Sequence, residues 1–299
     1  MTQQIRLTLR AWTELLLLGA IWGGVFLATR LTLDHLGPLT TVAHRTFWAA
    51  LALWGYVAVR GLPLPRAAGV WGAFGVMGLL NNLIPFGLMA WAQGHIPTGL
   101  VSILNGTTAV FGVLIAALVF ADERLTWRRM AGVALGMAGI VVVIGPAVLG
   151  ALDLTSLAQL AVLGGTFSYA LAGVWARRHL RGLAPAVSAA GMLSAAALMA
   201  VPLAIWIEGP PRLTLPAGAW GAIAYLALVA TAGAYLLYFR VLAMVGSGNL
   251  MLVTLIIPPF AILLGAVVLQ EALDPRAYLG FALLAAGLVV IDGRLLRKS

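Results

Sequence analysis

Almost the whole 299-residue chain is a succession of apolar runs about twenty residues long, divided by breaks of only a few polar, proline or glycine residues. A helix rises ~1.5 Å per residue, so each run is matched to the ~30 Å hydrocarbon layer of a bilayer. Ten runs fall near residues 12–33, 37–59, 67–92, 96–120, 126–147, 155–177, 184–207, 217–241, 247–269 and 275–292. The composition fits the same solvent: 62% of residues are hydrophobic and 9% charged, against roughly 25% charged in soluble chains. The formal charge of +9 then needs no nucleic-acid partner, because loops kept in the cytoplasm accumulate Lys and Arg. With no cysteine, neither a disulfide framework nor a thiolate site is available.

Arg6 and Arg10 precede a first run too long for a cleavable signal core, so it is expected to stay as a retained span. With the N-terminus inside, Arg6, Arg10, Arg60, Arg66, Arg124, Arg128, Arg129, Arg177, Arg178, Arg181, Arg240, Arg294, Arg297 and Lys298 all fall on the inner side. Only Arg212 and Arg276 are then left in outer loops, with Arg30 and Arg45 inside helices. This bias predicts an even number of spans with both termini cytoplasmic, in a bacterial inner membrane. The short connections leave no room for a soluble catalytic domain.

Residues 119–145 align without a gap on residues 267–293, a shift of 148 residues. Leu-to-Leu matches mean little in apolar helices. Glu123 with Glu271, Gly132 with Gly280, Gly139 with Gly287 and Gly145 with Gly293 are harder to obtain by chance. The chain therefore divides at 1–148 and 149–299 into two repeats of five spans, and an odd count turns the second copy upside down in the bilayer. Gly19, Gly23, Gly132, Gly136, Gly139, Gly280 and Gly287 are expected to let helix backbones approach closely. Spans five and ten could alternatively form a dimer face, but a monomer is expected.

Several patches carry a family likeness: Trp22-Gly23-Gly24-Val25-Phe26, His44-Arg45-Thr46-Phe47, and Phe120-Ala121-Asp122-Glu123-Arg124-Leu125 with its echo Leu269-Gln270-Glu271-Ala272-Leu273. Pro258-Pro259 precedes that echo as a proline of the same helix. Across essentially the whole chain the sequence resembles the drug/metabolite transporter superfamily, in its ten-helix branch with two EamA-type repeats, and most of all the YddG-type exporters of aromatic amino acids. Phe111 stands where the first repeat of that pattern usually has proline. The resemblance implies an all-helical fold of ten spans in two inverted repeats, with a central cavity lined by helices one, three, four, six, eight and nine.

Few residues can carry chemistry at depth. No phosphate-binding loop is present, so direct ATP hydrolysis is not expected. The nine acidic residues all fall near span ends, which favours facilitated transport over a buried carboxylate antiporter. Glu14 reads either as a coupling group or as a charge suited to the start of a helix. Arg45, well inside span two, either meets a substrate carboxylate or anchors structure by bonding carbonyls and Asp34. Asn81 and Asn82 of span three, and Asn105 with Thr108 of span four, must face protein or water. At α-helical spacing Asn82, Phe86 and Met89 share one face, serving either amide bonding between helices or a binding wall. Trp22, Ser168, Tyr169 and Tyr235 add a candidate aromatic and hydroxyl lining, with Tyr238 beside them, and Pro258 marks a break or hinge in span nine.

These residues point to a secondary transporter of a small-molecule substrate, most of all an exporter of aromatic or neutral amino acids working by alternating access. The alternatives are a multidrug or cationic-compound efflux carrier, a passive channel and an intramembrane enzyme. The last lacks a nucleophile and base pair or a metal cluster, so no catalytic residue, metal or cofactor is expected.

Overall fold

The computed structural model describes residues 7–153, 155–211, 214–268 and 275–292, apart from the side chains of 265–268 and 292, and every regular element among them is helical. The echo motif at 269–274, Gly293 and the basic residues Arg6, Arg212, Arg294, Arg297 and Lys298 lie outside the described residues. The helices are α1 (Leu9–Gly23), α2 (Val25–Leu33), α3 (Pro38–Val59), α4 (Ala68–Gly78), α5 (Ile84–Gln93), α6 (Thr98–Val119), α7 (Trp127–Ile144), α8 (Leu157–His179), α9 (Pro185–Glu208), α10 (Ala217–Ala224), α11 (Ala234–Met251), α12 (Val253–Val268) and α13 (Pro275–Asp292). Seven helical stretches among the described residues are long and apolar enough to cross a membrane, and Val253–Leu264 and Pro275–Ile291 are shorter apolar helices. Helix α3 falls outside that set because His44, Arg45 and Thr46 dilute its apolarity.

Two joins are not α-helical. Leu79–Leu83 links α4 to α5 and Tyr225–Gly233 links α10 to α11, each as a stretch of π-helix. A π turn bonds i to i+5, which widens the helix and leaves carbonyls for other donors. Side chains from other helices take them up: Ser168 Oγ of α8 donates to the Leu80 carbonyl at 2.7 Å, and Trp22 Nε1 of α1 donates to the Ala230 carbonyl at 2.9 Å.

Lipid offers apolar helices no hydrophobic reason to associate, so close packing and buried hydrogen bonds must hold the bundle. Helices α7 and α13 meet backbone to backbone. A Cβ placed on Gly132 would lie 2.6 Å from the Gly287 carbonyl oxygen, and one on Gly139 would lie 2.8 Å from the Gly280 oxygen and from Leu284 N. Positions 132 and 280, and 139 and 287, are equivalent under the 148-residue shift, so the contact is reciprocal in the manner of a two-fold interface. Gly23 of α1 is as tightly set, its Cβ position 2.9 Å from Ala261 N of α12. Helix α9 turns a strip of Ala, Ser and Gly toward α3 and α4, where Gly78 abuts the Met192 carbonyl and Trp54 Nε1 donates to Ser194 Oγ at 2.7 Å.

Two carboxylates tie helix starts to distant helices. Glu208, closing α9, accepts from Leu39 N and Thr40 N at 2.8 Å each and from Thr40 Oγ1 at 2.7 Å. Glu123, 1% exposed, accepts from Ser247 N at 2.8 Å, Ser247 Oγ at 3.0 Å and Gly248 N at 2.7 Å, and also pairs with Arg177. Two free consecutive N–H groups mark the start of a helix. Gly246, at φ 79° and ψ 175°, is the non-helical point before them. Helix α11 is thus broken there, which matches the expected start of a run at 247, and Gly supplies the positive φ at no steric cost. Span one also breaks, at Gly24, where Tyr225 comes so close that a Cβ would lie 2.6 Å from its hydroxyl oxygen. The Pro258-Pro259 pair does not end a helix: α12 runs through both.

Candidate functional site

A cavity occupies the middle of the bundle and extends toward the end at which α2 and α5 finish. It leaves about 800 Å³ of empty space, part of it open to solvent. Along span one Trp22, Phe26 and Thr29 line it, at the i, i+4, i+7 spacing of one helix face. Spans three and four contribute Asn81, Phe86, Met89, Ala90, Gln93, Asn105 and Thr108; α8 gives Tyr169; α11 gives Tyr235 and Tyr238; and α12 gives Val253, Thr254 and Ile257. Arg45 of α3 also reaches it, so span two lines the cavity in addition to the helices implied by the family likeness.

The π stretch corrects one sequence expectation. Asn81, not Asn82, shares the cavity wall with Phe86 and Met89. Residues five apart lie on opposite sides of an α-helix but nearly above one another in a π turn, so the Leu79–Leu83 stretch rotates Asn81 into line with Phe86. Asn82 is buried behind that wall and holds Tyr235, whose hydroxyl donates to its Oδ1 at 2.9 Å while accepting from Asn81 Nδ2 at 2.9 Å. Ser168 and Pro258 also lie outside the lining. The hydroxyl of Ser168 is used on the Leu80 carbonyl, and Pro258 is buried within α12. Gln93, Thr29 and Thr254 were not singled out from sequence, and Phe26 only as part of the family patch. The spacing of Phe26 and Thr29 from Trp22 was the available signal, and so was that of Gln93, seven and four residues after Phe86 and Met89 on one α-helical face.

Arg45 is 8% exposed. Its Nε donates to Thr231 Oγ1 at 2.7 Å, inside the second π stretch, and its Cζ sits 3.7 Å above the centre of the Phe86 ring. Among the described residues no carboxylate comes within ion-pair distance of it, and no Asp or Glu lines the cavity. Asp34, the sequence-expected anchor, lies instead 4.0 Å from Arg30. The two Nη groups of Arg45 make no protein hydrogen bond among the described residues.

Rings form the remaining walls. Trp22 meets Tyr235 and Tyr238 at 6.3 Å each, Tyr235 meets Tyr238 edge-on at 5.4 Å, and Phe86 meets Tyr169 at 6.4 Å. Residues of this lining also carry buried polar atoms without a hydrogen-bond partner among the described residues: Asn81 Oδ1, Gln93 Oε1, Thr108 Oγ1 and the Tyr238 hydroxyl. Such atoms cost about 1–3 kcal/mol each unless water or a ligand satisfies them.

The opposite end of the bundle is held by ion pairs. Glu14 of α1 bonds Arg240 of α11 at 3.1 Å and Arg10 at 3.2 Å, so it is an interhelical pair, not a free charge at a helix start. Nearby, Asp122 and Glu123 share Arg177 of α8, while Arg129 Nη2 donates to Asn249 Oδ1 at 2.8 Å and lies 3.9 Å from Glu123.

The profile of the EamA-like transporter family matches the chain twice, at residues 11–145 and 156–292. Among curated proteins the chain is similar to a probable terminal-alkyne amino-acid exporter of Streptantibioticus cattleyicolor, 28% identical over 98% of this chain and 97% of that one. It is also similar to a probable amino-acid metabolite efflux pump of Salmonella typhimurium, 27% identical over 92% of each, and to an inner membrane transporter, YedA, of Escherichia coli, 24% identical over 91% and 87%. A protein crystal structure superposes with a TM-score of 0.79 at 22% identity, covering 96% of this chain and 99% of its own, and so shares the fold. With nearly its whole length covered by the two profile matches, this multi-pass membrane chain belongs to the EamA-like transporter family of the drug/metabolite transporter superfamily.

Proposed function

We propose that the protein exports small carboxylate-bearing metabolites, foremost neutral and aromatic amino acids, across a bacterial inner membrane by alternating access. The observation that carries this reading is Arg45, a buried cation without a carboxylate partner among the described residues, on the wall of an aromatic cavity. A lone charge at membrane depth costs at least about 2.5–3.5 kcal/mol. A substrate carboxylate ~4 Å away recovers about 4 kcal/mol at an effective dielectric near 20, and the free Nη pair suits its two oxygens. A cationic drug would face the same charge with no acidic residue among the described lining to offset it, which weighs against cation efflux. The names of the amino-acid exporter and efflux-pump relatives point the same way.

The architecture we infer is ten spans in two inverted repeats, 1–148 and 149–299, with both termini cytoplasmic. Three features support it: the doubled family match, the reciprocal glycines of α7 and α13, and the two π stretches, which overlap under the 148-residue shift. In this orientation the ion-paired end of the bundle is cytoplasmic, and the cavity extends toward the periplasm.

Counterflow of radiolabelled phenylalanine in proteoliposomes tests the proposal. The expected result is uptake accelerated by phenylalanine on the opposite face, and its loss in Arg45→Met. Transport confined to organic cations, or full phenylalanine exchange by Arg45→Met, would overturn it.

A further inference from the structure

Beyond the carboxylate, the cavity carries a second recognition element that assigns the substrate's other polar group. Asn81 is 1% exposed and lies within the first π stretch, one π turn before Phe86, whose ring is covered by the Arg45 guanidinium. Its Nδ2 is committed to the Tyr235 hydroxyl at 2.9 Å and to Met192 Sδ at 3.6 Å. Its Oδ1 is buried and without a hydrogen-bond partner among the described residues. That oxygen is an acceptor on a residue of the cavity lining, and a donor on a bound substrate would satisfy it.

Geometry limits what that donor is. Asn81 and Phe86 stand on one wall of the cavity and the Arg45 guanidinium lies over Phe86, so the amide and the guanidinium belong to the same part of the lining. The aromatic pair Tyr235 and Tyr238 lies beside Asn81. A cationic anchor and a buried acceptor, flanked by rings, complement a carboxylate and an adjacent ammonium attached to an apolar side chain. Ring faces and a neutral amide oxygen also stabilise an ammonium without a formal negative charge. A carboxylate here would instead have paired with Arg45 and neutralised the anchor.

Resting on the proposed export of carboxylates, we infer that Asn81 Oδ1 receives the α-ammonium, so the transporter selects zwitterionic α-amino acids over carboxylates whose amine is absent or acylated. Asn81 is then a specificity-determining residue, with Tyr235 fixing its amide.

The test is competition against phenylalanine counterflow in proteoliposomes by 3-phenylpropionate, N-acetylphenylalanine and phenethylamine, for the unaltered protein and for Asn81→Leu. The unaltered protein should prefer phenylalanine to 3-phenylpropionate by roughly tenfold or more, as one hydrogen bond to a charged group requires. Asn81→Leu should keep its affinity for 3-phenylpropionate, which also shows that the variant is folded, and lose the preference for phenylalanine. Equal competition by phenylalanine and 3-phenylpropionate in the unaltered protein overturns the assignment of Asn81 and leaves the carboxylate anchor standing. A preference that survives unchanged in Asn81→Leu also overturns it. Competition by phenethylamine alone overturns the carboxylate reading itself.

Discussion

Glu123→Gln isolates the part of the fold that depends most on one charge. The carboxylate places Oε1 on Ser247 N, Ser247 Oγ and Arg177 Nη1, and Oε2 on Gly248 N. A glutamine has nearly the same shape but only one acceptor oxygen, so its NH₂ group must face Ser247 N–H or Gly248 N–H, donor against donor. Leaving one buried donor unsatisfied costs about 1–3 kcal/mol. Arg177 and Arg129 also lose the charge between them, and breaking one side of a buried pair runs to about 3–5 kcal/mol. These terms overlap because they share the same atoms, and a total near 3 kcal/mol is expected. The control is Asp122→Asn, which removes the neighbouring carboxylate from the same Arg177. The Asp122 side chain is 28% exposed against 1% for Glu123, and a pair of that kind contributes about 0–1 kcal/mol. Thermal unfolding of both variants in one detergent, followed by tryptophan fluorescence, should place Glu123→Gln well below Asp122→Asn. Equal midpoints would refute the claim that Glu123 holds the start of the helix after Gly246.

Gly139→Ala should destabilise the protein by about 1–3 kcal/mol through overpacking, since its Cβ would lie 2.8 Å from backbone atoms of α13, whereas Gly75→Ala, with nothing within 4 Å, should be neutral or slightly stabilising; paired thermal melts read the difference. Gly246→Ala should cost at least about 1–2 kcal/mol for its positive φ, with more added because the methyl would stand 2.6 Å from Glu123 Oε1, and the loss should be non-additive with Glu123→Gln in a double-mutant cycle. Ser168→Ala should cost about 1 kcal/mol by removing the bond to the Leu80 carbonyl, leaving the order of preferred substrates in a counterflow assay unchanged.

What was legible in the sequence follows from solvent and period. A bilayer forces backbone hydrogen bonds to close within each segment, so run lengths alone set the helical class and nearly every boundary, and registered glycines marked the faces where α7 and α13 approach. Family patches such as Trp22-Gly23 and His44-Arg45 could be named from residues alone, because a buried charge or a paired glycine is rare among apolar neighbours. The π stretches could not: no residue in Leu79–Leu83 or Tyr225–Gly233 specifies an extra residue per turn, whereas Ser168 and Trp22, from helices far away in sequence, bond carbonyls inside them. The first stretch puts Asn81 in place of Asn82 beside Phe86, and in the second Thr231 takes Arg45 where Asp34 had been the expected partner. Local sequence thus determined where the chain is helical, while tertiary contacts decided which side of each helix faces the cavity, because a helix face turns by about 100° for every residue inserted and only neighbouring helices settle where that insertion falls.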